Sequence, residues 1–305
     1  MLDKVLPSSL MTILNTKLDI SKIYEIRFRI NQPITINILG KIYFLCDNGF
    51  TKNITEALYA DIDMINNIVY VASENSLYAV NNQLKEGFIT IEGGIRLGIV
   101  GEAVYNGGKI ETFNNINSIN IRIPHEVNNC SQIAFGFLLD KSIKNTLILS
   151  PPGSGKTTFL RDIITQISKH NFALNCLVLD ERYEIGGVKG GVPQLKLGCM
   201  TDIMSGIKKK DGFEFGIRSM GPNIIFTDEI ANEKDISAIE YALSCGITVI
   251  ATTHCDSMAQ LRKKQNFKSL LDIKLFERYV VLSSRNGAGT IEGIYNENFG
   301  LMYRE

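Results

Sequence analysis

Over roughly the first 125 residues, apolar positions alternate with polar ones in short runs. Residues 23–30 set Ile26, Phe28 and Ile30 on one side and Glu25, Arg27 and Arg29 on the other, which predicts a half-buried strand. Asn31-Gln32-Pro33 and Gly40 separate it from apolar runs at 34–39 and 42–46, so an antiparallel meander is expected. A helix is expected ahead of it, from Met1 to about Asp19, with Leu6, Leu10, Ile13 and Leu14 on one side. Residues 54–72 carry Ile62, Ile65, Ile68 and Val69 at helical spacing, and Ser73-Glu-Asn-Ser76 caps a further helix ending near Gly87. Strands are expected at 88–91, 94–102 and 119–123, giving an α+β domain over residues 1–125.

Residues 126–145 are the expected junction, with Asn128-Asn129 breaking the pattern and a short apolar helix at 133–139. From residue 146 to 305 strands and helices alternate, as a mostly parallel sheet demands. Apolar strands are expected at 176–179, 223–229 and 247–254. Helices are expected at 156–169 and from Asn232 to Gly246, and a hairpin over 278–294 turns at Asn286-Gly287. Residues 186–212 are glycine-rich with weak periodicity. The fold class read from this pattern is a RecA-like α/β domain behind a smaller α+β domain.

The most informative stretch is Leu147-Ile-Leu-Ser-Pro-Pro-Gly-Ser-Gly-Lys-Thr-Thr-Phe-Leu160, a buried strand, a glycine turn and a helix start. It departs from the G-x-x-x-x-G-K-[ST] phosphate-loop pattern only in having Ser150 at the first glycine. Gly153 and Gly155 let successive N–H groups of Pro152-Gly-Ser-Gly-Lys-Thr-Thr158, all but that of Pro152, converge on an anion at a helix N-terminus. ATP with Mg²⁺ is the expected ligand. Lys156 would reach the β/γ-phosphates, Ser154 and Thr158 would complete the cradle, and the Thr157 hydroxyl would sit on Mg²⁺.

Four further groups are expected beside it. Asp228-Glu229 closes an apolar strand, with Asp228 suited to the Mg²⁺ hydration shell and Glu229 to polarising the attacking water. Asp180, Glu181 and Glu184 form a second acidic cluster, either water-orienting or part of the metal shell, or else a solvated turn paired with Arg182. His254 ends Thr252-Thr-His254 and could donate to a γ-phosphate; Arg218 could neutralise phosphate charge or pair with Glu229. Lys208–Lys210 reads as a solvated face.

Charge changes the picture little: 32 basic and 32 acidic residues leave a formal net charge of zero, so no nucleic-acid partner is expected. Six cysteines lack a C-x-x-C pair and three histidines are dispersed, which fits reduced thiols in a cytoplasmic protein. No signal-peptide profile or membrane-length apolar run is present, so any membrane association is expected through partners.

Taken in order, the loop, Asp180-Glu-Arg-Tyr-Glu184, Arg218-Ser-Met-Gly-Pro-Asn223, Ile225-Phe-Thr-Asp-Glu229 and Thr252-Thr-His254 resemble the motifs of the secretion-type traffic ATPases. Glu25-Ile-Arg-Phe-Arg29, Gly94-Ile-Arg-Leu-Gly98, Asn120-Ile-Arg-Ile123 and Phe276-Glu-Arg-Tyr-Val-Val281 resemble a sporulation branch of that family. The resemblance implies a homo-oligomeric, hexameric ATPase on the cytoplasmic face of a mother-cell membrane, working with membrane proteins of a channel to the forespore. It also implies that the neighbouring subunit completes the nucleotide site, which would bring Arg96 and Arg122 of the first domain to the phosphates. Sheet-surface ion pairs are the other reading of those two arginines. A pilus or DNA-transfer motor and a nucleotide-gated scaffold with little turnover stay open as alternatives.

Overall fold

The computed structural model describes residues 2–76, 80–125, 127–170 and 174–305. The chain divides into two compact units, residues 1–125 with 187–194, and residues 126–186 with 195–305.

In the first unit, α1 (Ser8–Lys17) follows a short 3-10 turn at Leu2–Lys4 rather than running from the N-terminus, because Pro7 interrupts at the helix start. The strands are β1 (Ile23–Arg29), β2 (Gln32–Pro33), β3 (Thr35–Ile38), β4 (Lys41–Cys46), β5 (Gly49–Thr51), β6 (Tyr59–Ala60), β7 (Phe88–Thr90), β8 (Arg96–Asn106) and β9 (Lys109–Arg122). Seven of them form one antiparallel sheet in the order β5-β4-β3-β1-β9-β8-β7. The alternation read in the sequence places Ile26 and Phe28 in the core, 1% and 0% exposed. Helix α2 (Ile62–Ala72), capped by the Asp61 carboxylate, packs Ile65, Ile68 and Val69 against that core. It starts eight residues later than the apolar spacing suggests, since 54–61 are spent on a 3-10 turn and β6. Helix α3 (Asn81–Lys85) is the end of the helix expected before Gly87; residues 77–79 lie outside the described residues.

Strand β9 is much longer than expected and β8 runs on to Asn106, so that the two form a hairpin turning at Gly107-Gly108. Its outer half is mostly exposed, so no alternation of apolar residues marked it in the sequence. Residues 187–194, assigned to the second half by sequence order, belong to this unit: Lys189 pairs with Glu74 at 2.6 Å and Gln194 accepts from the Gly93 N–H.

The second unit contains α4 (Gln132–Leu138), β10 (Thr146–Ser150), α5 (Lys156–Lys169), β11 (Cys176–Asp180), β12 (Thr201–Ser205), α6 (Lys209–Met220), β13 (Ile224–Thr227), α7 (Glu233–Ser244) and β14 (Thr248–His254). It continues through α8 (Met258–Lys263), α9 (Lys268–Asp272), β15 (Arg278–Ser283), β16 (Thr290–Asn296) and β17 (Leu301–Tyr303). The sheet order is β12-β11-β13-β14-β10-β15-β16-β17, parallel as far as β15 and antiparallel beyond. Its inner strands are buried on both faces, which is why they read as unbroken apolar runs. Apolar clusters on the two faces, one around Phe213 and Ile239 and one around Ile163 and Phe226, form a three-layer α/β core.

Residues 127–145 pack within the second unit. Asp162 of α5 accepts from the Asn129 and Ser131 N–H groups and the Ser131 hydroxyl, and α4 packs on α5. Helix α6 comes unusually near β11 because it carries glycines there: a Cβ on Gly216 would lie 2.2 Å from Leu177 Cδ2.

Candidate nucleotide site

A parallel sheet presents its ligands beyond the carboxyl ends of its strands. Here β10 ends in Ser150 and the phosphate loop, β13 in Asp228-Glu229, β11 in Asp180, and β14 lies between β10 and β13, carrying Thr252-Thr-His254. Ser150 and His254 are register partners, so the histidine flanks the loop at its origin. Ser150 is fully buried and its hydroxyl donates to the Pro151 carbonyl, which satisfies locally the group that replaces the usual glycine.

The loop curls through Gly153 (φ 76°) and Gly155 (φ 82°), and α5 starts at Lys156. It is braced by the β15–β16 hairpin, a contact the sequence did not announce. The Gly289 N–H donates to the Ser154 carbonyl at 2.8 Å, and a Cβ on Gly155 would stand 2.8 Å from the Ala288 Cβ.

The charged side chains meet as one network. Lys156 Nζ is 2.6 Å from His254 Nε2, and that nitrogen is 3.3 Å from Glu229 Oε1. Glu229 Oε2 accepts from Arg182 Nη1 at 2.6 Å. Burial lowers the Lys156 pKa, opposed first by Glu229. Glu229 itself holds a positive φ of 44°, with its N–H bonded to the Thr252 hydroxyl at 2.9 Å; a non-glycine residue in this region stores backbone strain at the centre of the site.

Asp228 is 2% exposed, and its Oδ1 makes no hydrogen bond among the described residues. Burial raises its pKa to about 7, with Lys209 the foremost opposing charge. Asp180 has a different part to play. It is buried and accepts from the N–H groups of Glu184, Ile185 and Gly186, so it shapes the turn rather than facing a ligand.

Two expectations are corrected. Glu229 is paired with Arg182 and His254, not Arg218; the latter is exposed, nine residues along α6 from its site end, or about 13 Å at the helical rise. Lys209 is not a solvated residue: it is 6% exposed and its Nζ donates to Glu181 Oε2 at 2.6 Å. A run of three lysines hides a one-residue distinction, because on a helix only one of them turns inward.

The residues fit Mg²⁺ in one specific way. An unbonded, buried Asp228 oxygen and the Thr157 hydroxyl are hard oxygen donors. Among the described residues, no group of three or more acidic, histidine or cysteine side chains could hold a metal unaided. A hydrated Mg²⁺ would therefore need phosphate oxygens to complete its shell, as nucleotide-borne magnesium does.

The family profile "Sporulation stage III, protein AA" matches residues 1–301. The chain belongs to that family. It is 32% identical over 286 residues to stage III sporulation protein AA of Bacillus subtilis (strain 168), covering 93% of this chain and 90% of the relative. Over 135 residues it is 27% identical to the uncharacterized protein ycf45 of Cyanidium caldarium, 44% of this chain and 40% of that one. Among solved structures, the Legionella pneumophila ATPase DotB superposes with TM-score 0.58 at 15% identity, over 90% of this chain and 76% of that one. The pilus retraction motor PilT with bound ADP gives 0.59 at 15% identity, over 92% and 78%. The chain thus shares the fold of these secretion-type ATPases, with a mostly parallel sheet in one unit and an antiparallel sheet in the other. No helix among the described residues is long and apolar enough to cross a membrane.

Proposed function

We propose that the chain is a Mg²⁺-dependent ATPase of the secretion type that works, as a hexamer, on a membrane-spanning channel between mother cell and forespore. The observation that carries the enzymatic reading is the convergence of Lys156, His254 and Glu229 within hydrogen-bonding reach at the mouth of a phosphate loop. In this reading Lys156, Thr157 and the loop N–H groups of residues 153–158 bind the phosphates. Asp228 holds the hydration shell of Mg²⁺, which when bound neutralises the developing phosphate charge.

Glu229 takes the role of base. It must first give up Arg182, while Lys156 exchanges His254 for phosphate. His254, left beside Glu229, orients the carboxylate toward the attacking water. Glu184, adjacent in the acidic turn, is assigned a supporting part in holding that water. Arg218, remote from the site within one chain, is assigned to a neighbouring subunit.

Arg96 and Arg122 of the first unit are assigned to the phosphates of a neighbouring subunit. They line a cleft of about 450 Å³ together with Arg27 and Arg29. Arg122 also pairs with Glu25 at 3.2 Å and Arg96 stacks on Phe88, contacts a phosphate would have to compete with. Alanine at both positions with turnover intact would dispose of that assignment.

The test is Mg²⁺-dependent ATP hydrolysis by the purified wild type beside Glu229→Gln, at concentrations that allow a ring. Turnover in the first and not the second supports the motor. Tight nucleotide binding with no turnover in either would favour a nucleotide-gated scaffold, a reading that gains from the pairing of Glu229 with Arg182.

A further inference from the structure

Lys209 has no part in the scheme above, yet it is a buried cation beside Asp228. It opens α6, where Gly212 lets the helix approach Leu179 at the end of β11; a Cβ there would meet Leu179 Cδ2 at 3.0 Å. From that point its Nζ reaches Glu181 Oε2 at 2.6 Å and Asp228 Oδ1 at 3.8 Å, the first a hydrogen bond and the second an ion contact too long to be one. Lysines are almost never this buried without a carboxylate to pair with, and here two from different strands share one. The helix N-terminus adds its partial positive charge at the same place.

We infer that Lys209 is a positioning residue that stands in for the divalent cation. It holds the Asp228 and Glu181 carboxylates in place while the site is empty, and its charge keeps free Mg²⁺ out until a nucleotide brings its own phosphates. The inference rests on the reading of the loop as a nucleotide site. Two independent features support it. Lys209 Nζ stands against both carboxylates at once, 2.6 Å from Glu181 Oε2 and 3.8 Å from Asp228 Oδ1. Asp228 Oδ1 is also left without a hydrogen bond, so that Lys209 steadies the atom electrostatically without blocking it. Asp228 would then be available to a metal brought by phosphates, while Lys209 stays on Glu181.

The experiment is Mn²⁺ binding followed by the loss of the free-ion electron paramagnetic resonance signal, on the full chain, with and without ADP. Wild type should take up Mn²⁺ only with ADP. Lys209→Met should take it up weakly without nucleotide, yet at least about tenfold more than wild type does, because a positive charge beside Asp228 has been removed. Lys209→Arg should restore wild-type behaviour. Nucleotide-independent uptake by wild type, or a Lys209→Met protein that binds no more Mn²⁺ than wild type, overturns the proposal. Should Lys209→Met not fold, Lys209→Gln takes its place with the same expected rise, and Glu181→Gln should stay nucleotide-dependent because Lys209 keeps Asp228. Failure of wild type to bind Mn²⁺ even with ADP would instead sink the nucleotide site itself, and the nucleotide-free comparison would still judge Lys209.

Discussion

Arg182 holds Glu229: one guanidinium nitrogen lies 2.6 Å from Oε2, while His254 approaches the other carboxylate oxygen at 3.3 Å. A carboxylate held by a guanidinium on one oxygen and neighboured by an imidazole at the other is poised but occupied. Glutamine in its place can still accept from Arg182 through its amide oxygen, so Glu229→Gln should fold and bind nucleotide like wild type. It cannot polarise water, and turnover should fall by about 100-fold or more. Steady-state hydrolysis beside fluorescent-nucleotide titration separates the two effects; a variant that loses affinity and turnover together would show that Glu229 acts in binding.

The phosphate loop, the two acidic strand ends and the histidine were legible because each is a short motif on a strand whose apolar run is unmistakable. What joins them was not. Arg182 and Lys209 lie in a turn and at a helix start whose pairing with Glu229 and with Asp228 depends on strands β11 and β13 being neighbours. Sequence order alone does not reveal such adjacency. The same holds for the hairpin brace at Ser154, supplied from 135 positions downstream by Gly289. In the first unit, β1 was plain from its alternation, whereas the exposed outer half of the β8–β9 hairpin has no buried face to leave a pattern.

That brace yields a prediction of its own. Gly289 has φ 86°, and an added Cβ would find only ordinary contacts, 3.7 Å or more from Cys130 and Phe159. The cost of Gly289→Ala is therefore backbone strain, about 1–2 kcal/mol. Because the strained residue donates to Ser154, nucleotide affinity should weaken more than melting temperature falls. Calorimetric titration with ADP beside thermal unfolding checks this.

Gly216 should behave in the opposite way. A methyl group there would overlap Leu177 and push α6 off β11, an overpacking cost of about 1–3 kcal/mol. Gly216→Ala should lower the denaturation midpoint of the second unit. Replacing Leu177 by alanine in the same chain should recover part of the loss, as contacting positions couple. An undiminished midpoint in the single variant would mean that α6 has room to move.

Asp228 sets the pH response. Its pKa is raised by burial from the ordinary carboxylate value to about 7, against Lys209 and Arg182, which lower it, and with Asp180 and Glu184, which raise it further. A raised carboxylate favours folding while protonated. Its contribution is fully present below about pH 4 and is lost as pH climbs toward 7. Nucleotide-free protein should therefore melt at a lower temperature at pH 8 than at pH 5. Asp228→Asn, which cannot ionise, should show a shallower decline over the same range. Mg²⁺ with nucleotide requires the ionised form, so the stabilisation that it confers should grow with pH in wild type and stay nearly flat in the variant. Parallel melting curves for wild type and Asp228→Asn across the range would mean that the Asp228 carboxyl ionises in the folded protein as it does in the unfolded chain.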